Sequence, residues 1–130
     1  MADFPGDIFL GNSFNVRLGS AEAPLQVEHP TTGVVGAYSG QTIRCYIALN
    51  TTASGEDRPA DDPVDASLTV AAMVEDGLVP GFYRAGFNGD SLSAHLSAHV
   101  DEKVWVVYTS DDGTYERAEY VMVRDLRSGV

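Results

Sequence analysis

A chain of 130 residues is long enough to bury one hydrophobic core and too short for two independent ones. Nineteen acidic residues against eight basic ones leave a net charge of −11, which repels nucleic-acid phosphates and anionic lipid headgroups and argues against both as partners. The single cysteine, Cys45, excludes an intramolecular disulfide, and no apolar run reaches the length of a membrane-spanning helix.

Residues 1–13 read as an extended arm. Its start, Met1 to Asp7, has neither the basic region nor the apolar stretch of a secretory leader, so export is not expected. Phe4, Ile8, Phe9 and Leu10 are large hydrophobes among Pro5, Gly6, Gly11 and Asn12, and they must pack somewhere. Two destinations are open: an edge strand on the chain's own domain, or extension onto a neighbouring subunit by strand addition. The second makes these four the candidate interaction residues.

Residues 14–125 read as one domain of short strands. Phe14-Asn15-Val16-Arg17-Leu18 alternates apolar with polar at period two, as does Leu25-Gln26-Val27-Glu28; turn formers from Pro30 to Gly33 then precede Val34-Val35. From Thr42 to Leu49 the alternation places Ile43, Cys45, Ile47 and Leu49 on one face, the expected inner one. The stretch 50–66 shifts in composition: Pro59, Pro63, Gly55 and the acids Glu56, Asp57, Asp61, Asp62 and Asp65 predict a long acidic loop that binds a partner, an ion or nothing. Ser67 to Val74 predicts a strand forming a hairpin-like pair with Phe82 to Phe87 across Pro80-Gly81. Leu92, Leu96 and Val100 recur at helical spacing, which allows at most one short helical turn near 91–100.

The clearest local signal comes last. Val104-Trp105-Val106-Val107-Tyr108 and Tyr115 to Val123 flank Ser110-Asp111-Asp112-Gly113, and an Asp-Gly pair between β-branched and aromatic runs predicts a β-hairpin. Residues 126–130 form a tail. Seven or eight short strands with almost no helix predict an all-β chain folded as a single antiparallel β-sandwich or small barrel.

The chemistry-bearing residues point to no catalytic constellation. His95 and His99 stand four apart, as zinc ligands on a helix do, but no HExxH surrounds them and a third ligand would have to come from His29, Cys45 or a distant acid; no metal is expected. The acids of 50–66 lack EF-hand spacing, and Asp111-Asp112-Gly113 is explained by turn geometry. Ser93 and Ser97 lie near the histidines without a G-x-S-x-G elbow, and no phosphate-cradling loop occurs, so neither an enzyme nor a cofactor is expected. Trp105 and the six tyrosines fit ordinary core or sheet-face positions, while leaving open a sandwich that binds glycan or a host surface through Tyr38, Tyr46, Trp105, Tyr108 and Tyr115.

Gly6-Asp7-Ile8-Phe9-Leu10-Gly11-Asn12, the strand Gly81-Phe82-Tyr83-Arg84-Ala85, the acidic-Gly hairpin and the closing Glu119-Tyr120-Val121-Met122-Val123 resemble small immunoglobulin-like virion proteins of tailed bacteriophages. The likeness covers most of the chain, apart from the acidic insertion at 50–66. It implies an Ig-like sandwich and a non-enzymatic particle component assembled in the host cytoplasm. Such a component is a capsid decoration or cement protein, or a part of the head-to-tail connection, present in many copies or as a homo-oligomer and touching capsid or connector proteins.

Overall fold

Strands account for 44% of the structure and helix for 13%, so the fold is all-β, as the period-two patterning requires. The computed structural model describes residues 2–3, 7–28, 31–52, 57–113 and 115–125. In chain order the strands are β1 (Ala2–Asp3), β2 (Ile8–Phe9), β3 (Phe14–Leu18), β4 (Gln26–Glu28), β5 (Val35–Ala37), β6 (Ile43–Thr51), β7 (Arg58–Pro59), β8 (Thr69–Val70), β9 (Val74–Glu75), β10 (Tyr83–Phe87), β11 (Lys103–Ser110) and β12 (Glu116–Arg124). Among the described residues one α-helix, α1 (Gly89–Leu96), lies between β10 and β11.

The strands form a four-stranded antiparallel sheet in the order β1-β3-β10-β9, and a larger sheet in the order β2-β12-β11-β6-β7 in which β8 also pairs with β6. A small ribbon, β4-β5, stands apart. One core serves both sheets. Phe14, Val16 and Leu18 of β3 and Tyr83 and Phe87 of β10 pack in the same cluster as Ile43, Cys45 and Ile47 of β6, Val104, Val106 and Tyr108 of β11, and Val121 and Val123 of β12. Slipping β3 by one residue would expose its three buried side chains, at roughly 1.5–3 kcal/mol each, so burial alone fixes the register.

The hairpin of β11 and β12 runs in register from Lys103↔Met122 to Thr109↔Glu116. At its tip Gly113 adopts φ +74° and donates its N–H to the Ser110 carbonyl at 3.1 Å, the geometry for which the Asp-Gly pair is suited. Asp112 Oδ1 accepts from both Ser110 Oγ and the Tyr38 hydroxyl, each at 2.7 Å, so the turn is tied to the chain outside it.

The stretch from Ser67 to Val74 is broken. Asp65 caps a 3-10 turn at Ala66–Leu68, its Oδ2 accepting from Ser67 N at 2.9 Å. Then β8 joins β6 through Tyr46↔Thr69 and Cys45↔Val70, the chain bends as Met73 N donates to the Ile43 carbonyl at 2.8 Å, and β9 joins β10 in the other sheet. The hairpin with 82–87 survives only as β9–β10, because each sheet takes two residues of a segment that crosses between them. Where at most one helical turn was expected near 91–100, the short helix is longer: it runs Gly89–Leu96, about two turns, and continues as a 3-10 turn, Ser97–His99. Asn88 Oδ1 starts it by accepting from Asp90 N and Ser91 N, and Leu92 and Leu96, one turn apart, are buried.

The described part of 50–66 lies flat along the sheet. Pro59 and Arg58 pair with Asn50 and Thr51, Ala60 N donates to the Leu49 carbonyl and Val64 N to the Ile47 carbonyl, both at 2.8 Å. Composition marked this segment as loop, but its backbone groups find partners on β6, and Pro59 stands at a sheet edge, where a missing N–H is tolerated. Residues 53–56 lie outside the described ones. Among the described residues no helix is long and apolar enough to cross a membrane.

Candidate interaction face

Alternation along β6, β11 and β12 gives the larger sheet a second face, pointing away from the shared core. Trp105 stands between Ala48 on β6 and Tyr120 on β12 in the strand register. Its ring meets the Tyr120 ring edge-on, with centroids 5.6 Å apart and planes at 75°, and its Nε1 donates to Asn50 Oδ1 at 2.8 Å. Tyr46, Ala48 and Val107 form a small cluster with Trp105 and Ala118 that is separate from the main core. A shallow groove of about 320 Å³ beside it is bordered by Tyr46, Pro59, Val107 and Ala118.

Two cations sit on these rings. The Lys103 ammonium lies 4.3 Å from the Tyr120 centroid and the Arg44 guanidinium 4.5 Å from that of Tyr46. Lys103 also donates to Asp57 Oδ2, and hydrogen bonds from Lys103 and then Asn50 hold the Asp57 carboxyl below its ordinary range. The reciprocal hydrogen bond with Asp57 holds Lys103 above its ordinary value. Asn50, Asp57, Lys103 and Trp105 therefore form one chain of contacts that fixes the orientation of the aromatic pair. Tyr120, at 58% exposure, is the most prominent ring of the face.

What this face exposes is the Tyr120 ring with the half-buried Trp105 and Ala118, laid over the buried Tyr46, Ala48 and Val107. Aromatic anchors held rigid by neighbours are what a protein-binding surface uses, because little side-chain freedom is lost on docking. Residue type left core and sheet-face positions open for Trp105 and the tyrosines, and Trp105 and Tyr120 take the sheet face. The signal for an outer face was the unbroken apolar run Val104 to Tyr108, which marks a strand covered on both faces rather than one.

The four arm residues are placed differently from one another. Phe4 lies outside the described residues. Ile8 and Leu10 are buried in the chain's own core, because β2 finds its partners in β12 as a parallel strand, Ile8 against Val123 and Phe9 against Arg124. Both side chains face this core. Phe9 is half-buried beside a concavity of about 250 Å³ that it shares with Asp7, Asn12 and Asn15.

His95 and His99 do not converge. Nε2 of His95 stands 3.4 Å from Asp65 and Nδ1 of His99 stands 3.1 Å from Glu102, so each meets a different acid. Among the described residues no group of three or more His, Cys, Asp or Glu is placed to hold a metal ion. Of the five aromatics considered for a glycan site, Tyr38, Tyr46 and Tyr108 are buried, while Trp105 and Tyr115 are half-buried. Comparison with protein-family models, with characterised proteins and with solved structures returns no match for this chain.

Proposed function

We propose that this chain is a non-enzymatic structural protein of a tailed-phage virion, binding the capsid or connector surface and stabilising the particle by decoration or by joining head to tail. The observation that carries the reading is the outward face of the larger sheet, where Trp105 and Tyr120 are locked edge to face and Tyr120 is 58% exposed. An exposed aromatic ring held on a sheet face, without an enclosed cavity around it, suits a protein surface better than a small molecule. Many copies on one particle would gain from avidity, so a modest interface per copy suffices. The likeness to small Ig-like virion proteins supplies the particle; the face supplies the means of attachment.

The test is reconstitution. Particles assembled without this chain are expected to lose resistance to heat and low salt, and added protein to restore it. Tyr120→Ala protein should restore it less well. Depleted particles that remain equally stable and infectious overturn the proposal.

A further inference from the structure

The larger sheet treats its two long edges in opposite ways. Along β6 the edge is closed over its whole length: β7 takes Asn50 and Thr51, Ala60 takes Leu49, Val64 takes Ile47, β8 takes Cys45 and Tyr46, and Met73 takes Ile43. Along β12, among the described residues, only Val123 and Arg124 have a strand beyond them, namely β2. The stretch 116–122 is therefore an open edge.

The direction of its hydrogen bonds follows from the ladder. Tyr115 accepts from Ser110 N at 2.9 Å and Val123 N donates to the Glu102 carbonyl at 3.1 Å, so odd-numbered residues bond toward β11. Even-numbered Glu116, Ala118, Tyr120 and Met122 direct their N–H and C=O groups to the open side. The next even residue, Arg124, confirms the direction, since its carbonyl accepts from Leu10 N at 2.9 Å.

The geometry points to a second copy of this chain as the occupant, its β12 pairing antiparallel with the first about a two-fold axis through Ala118. In that register Arg117 of each copy stands opposite Glu119 of the other, and Ala118 opposes itself with the smallest side chain of the stretch. Within one chain Arg117 and Glu119 already form an ion pair at the rim of the inner face, so two chains would form an alternating square of four charges. Only even residues can pair with even ones across this edge. The two neighbouring registers then oppose Glu119 to Glu119 or Arg117 to Arg117, and like charges directly opposite each other destabilise a ladder. The strand is thus self-complementary in one register, as an isologous dimer requires. This inference does not depend on the particle reading.

Sedimentation of the full chain over a range of concentrations at moderate salt tests it. A reversible dimer is expected. Arg117→Glu and Glu119→Arg should each weaken it by about tenfold or more, because two cross-strand pairs change from attractive to repulsive at once, and the double reversal should restore it. Ala118→Pro should abolish the dimer while leaving the monomer folded, since the amide it removes faces the open side. Amide exchange on the unaltered chain needs no variant: Glu116, Ala118, Tyr120 and Met122 should gain protection as concentration rises. A chain that sediments as a monomer throughout, a dimer indifferent to Ala118→Pro, or exchange at these four amides that does not change with concentration overturns it.

Discussion

The hydroxyl of Tyr83 donates to the backbone carbonyl of Tyr38 at 2.7 Å, joining β10 to the segment that leads into β6. The same oxygen accepts from Gln41 N at 3.2 Å, and Tyr83 is fully buried. One phenol thus satisfies two main-chain groups. Tyr83→Phe keeps the ring and orphans both, so an equilibrium stability loss of about 1–3 kcal/mol is expected by urea titration. A variant as stable as the parent would show that water replaces the hydroxyl without cost.

Gly81 is required by its conformation and by its neighbours. Its φ is +90°, and a Cβ there would stand 2.5 Å from the Leu25 carbonyl oxygen. Its carbonyl accepts from Leu25 N and its N–H donates to Glu75 Oε2, both at 2.8 Å. Burial pushes the Glu75 carboxyl upward, but amides of Gly81 and Gly40 outweigh that and hold it below its ordinary value. Gly81→Ala is expected to cost at least about 2 kcal/mol. Gly77→Ala, where an added Cβ meets nothing within 4 Å, is expected to change stability by about 0.5 kcal/mol or less. Equal costs for the two substitutions would contradict this account.

Alkaline pH should loosen the fold in a defined window. Burial pushes the Cys45 thiol from its ordinary value of 9.0 up to about 12. Tyr108, on the neighbouring strand, is also raised, by burial first and then by the nearby Cys45 and Glu119 charges. A group whose folded value is raised contributes its full stability below the unfolded value and loses it as pH rises. Between pH 9 and about 12 the unfolded chain releases a Cys45 proton that the folded chain keeps, so stability should fall by about 1.4 kcal/mol per pH unit. Urea midpoints between pH 9 and 10 should decline for the parent and decline less steeply for Cys45→Ala, in which the raised phenols of Tyr83, Tyr108 and Tyr115 still contribute. Identical slopes would remove the thiol from the explanation.

What the sequence made legible follows from how local each signal is. The β11–β12 hairpin could be read because Asp112 and Gly113 carry the turn in two adjacent residues, and β3 because Phe14, Val16 and Leu18 alternate without interruption. The crossing at 66–75 could not, since the apolar pattern of Leu68, Val70 and Met73 says that these side chains are buried and not that two sheets share them. Pro59 and Pro63 read as loop residues because their neighbours' backbone partners, on Leu49 and Ile47, lie elsewhere in the sequence. The place of Ile8 and Leu10 was not legible because the strand they meet, bonded from Leu10 N to the Arg124 carbonyl, lies at the other end of the sequence. Of the outer face, the run through Trp105 was visible, but its pairing with Tyr120 depended on the strand register.

The wiring of the two sheets also sets the order in which they can form. Leu18 pairs with Tyr83 and Ile47 with Val106, so both sheets are closed by segments that begin far apart along the chain. Each closure spends chain entropy before its contacts return anything, whereas the β11–β12 hairpin closes over a short turn. Folding should then nucleate at 103–124, add β6 only after a long search, and reach the native state in milliseconds to seconds rather than microseconds.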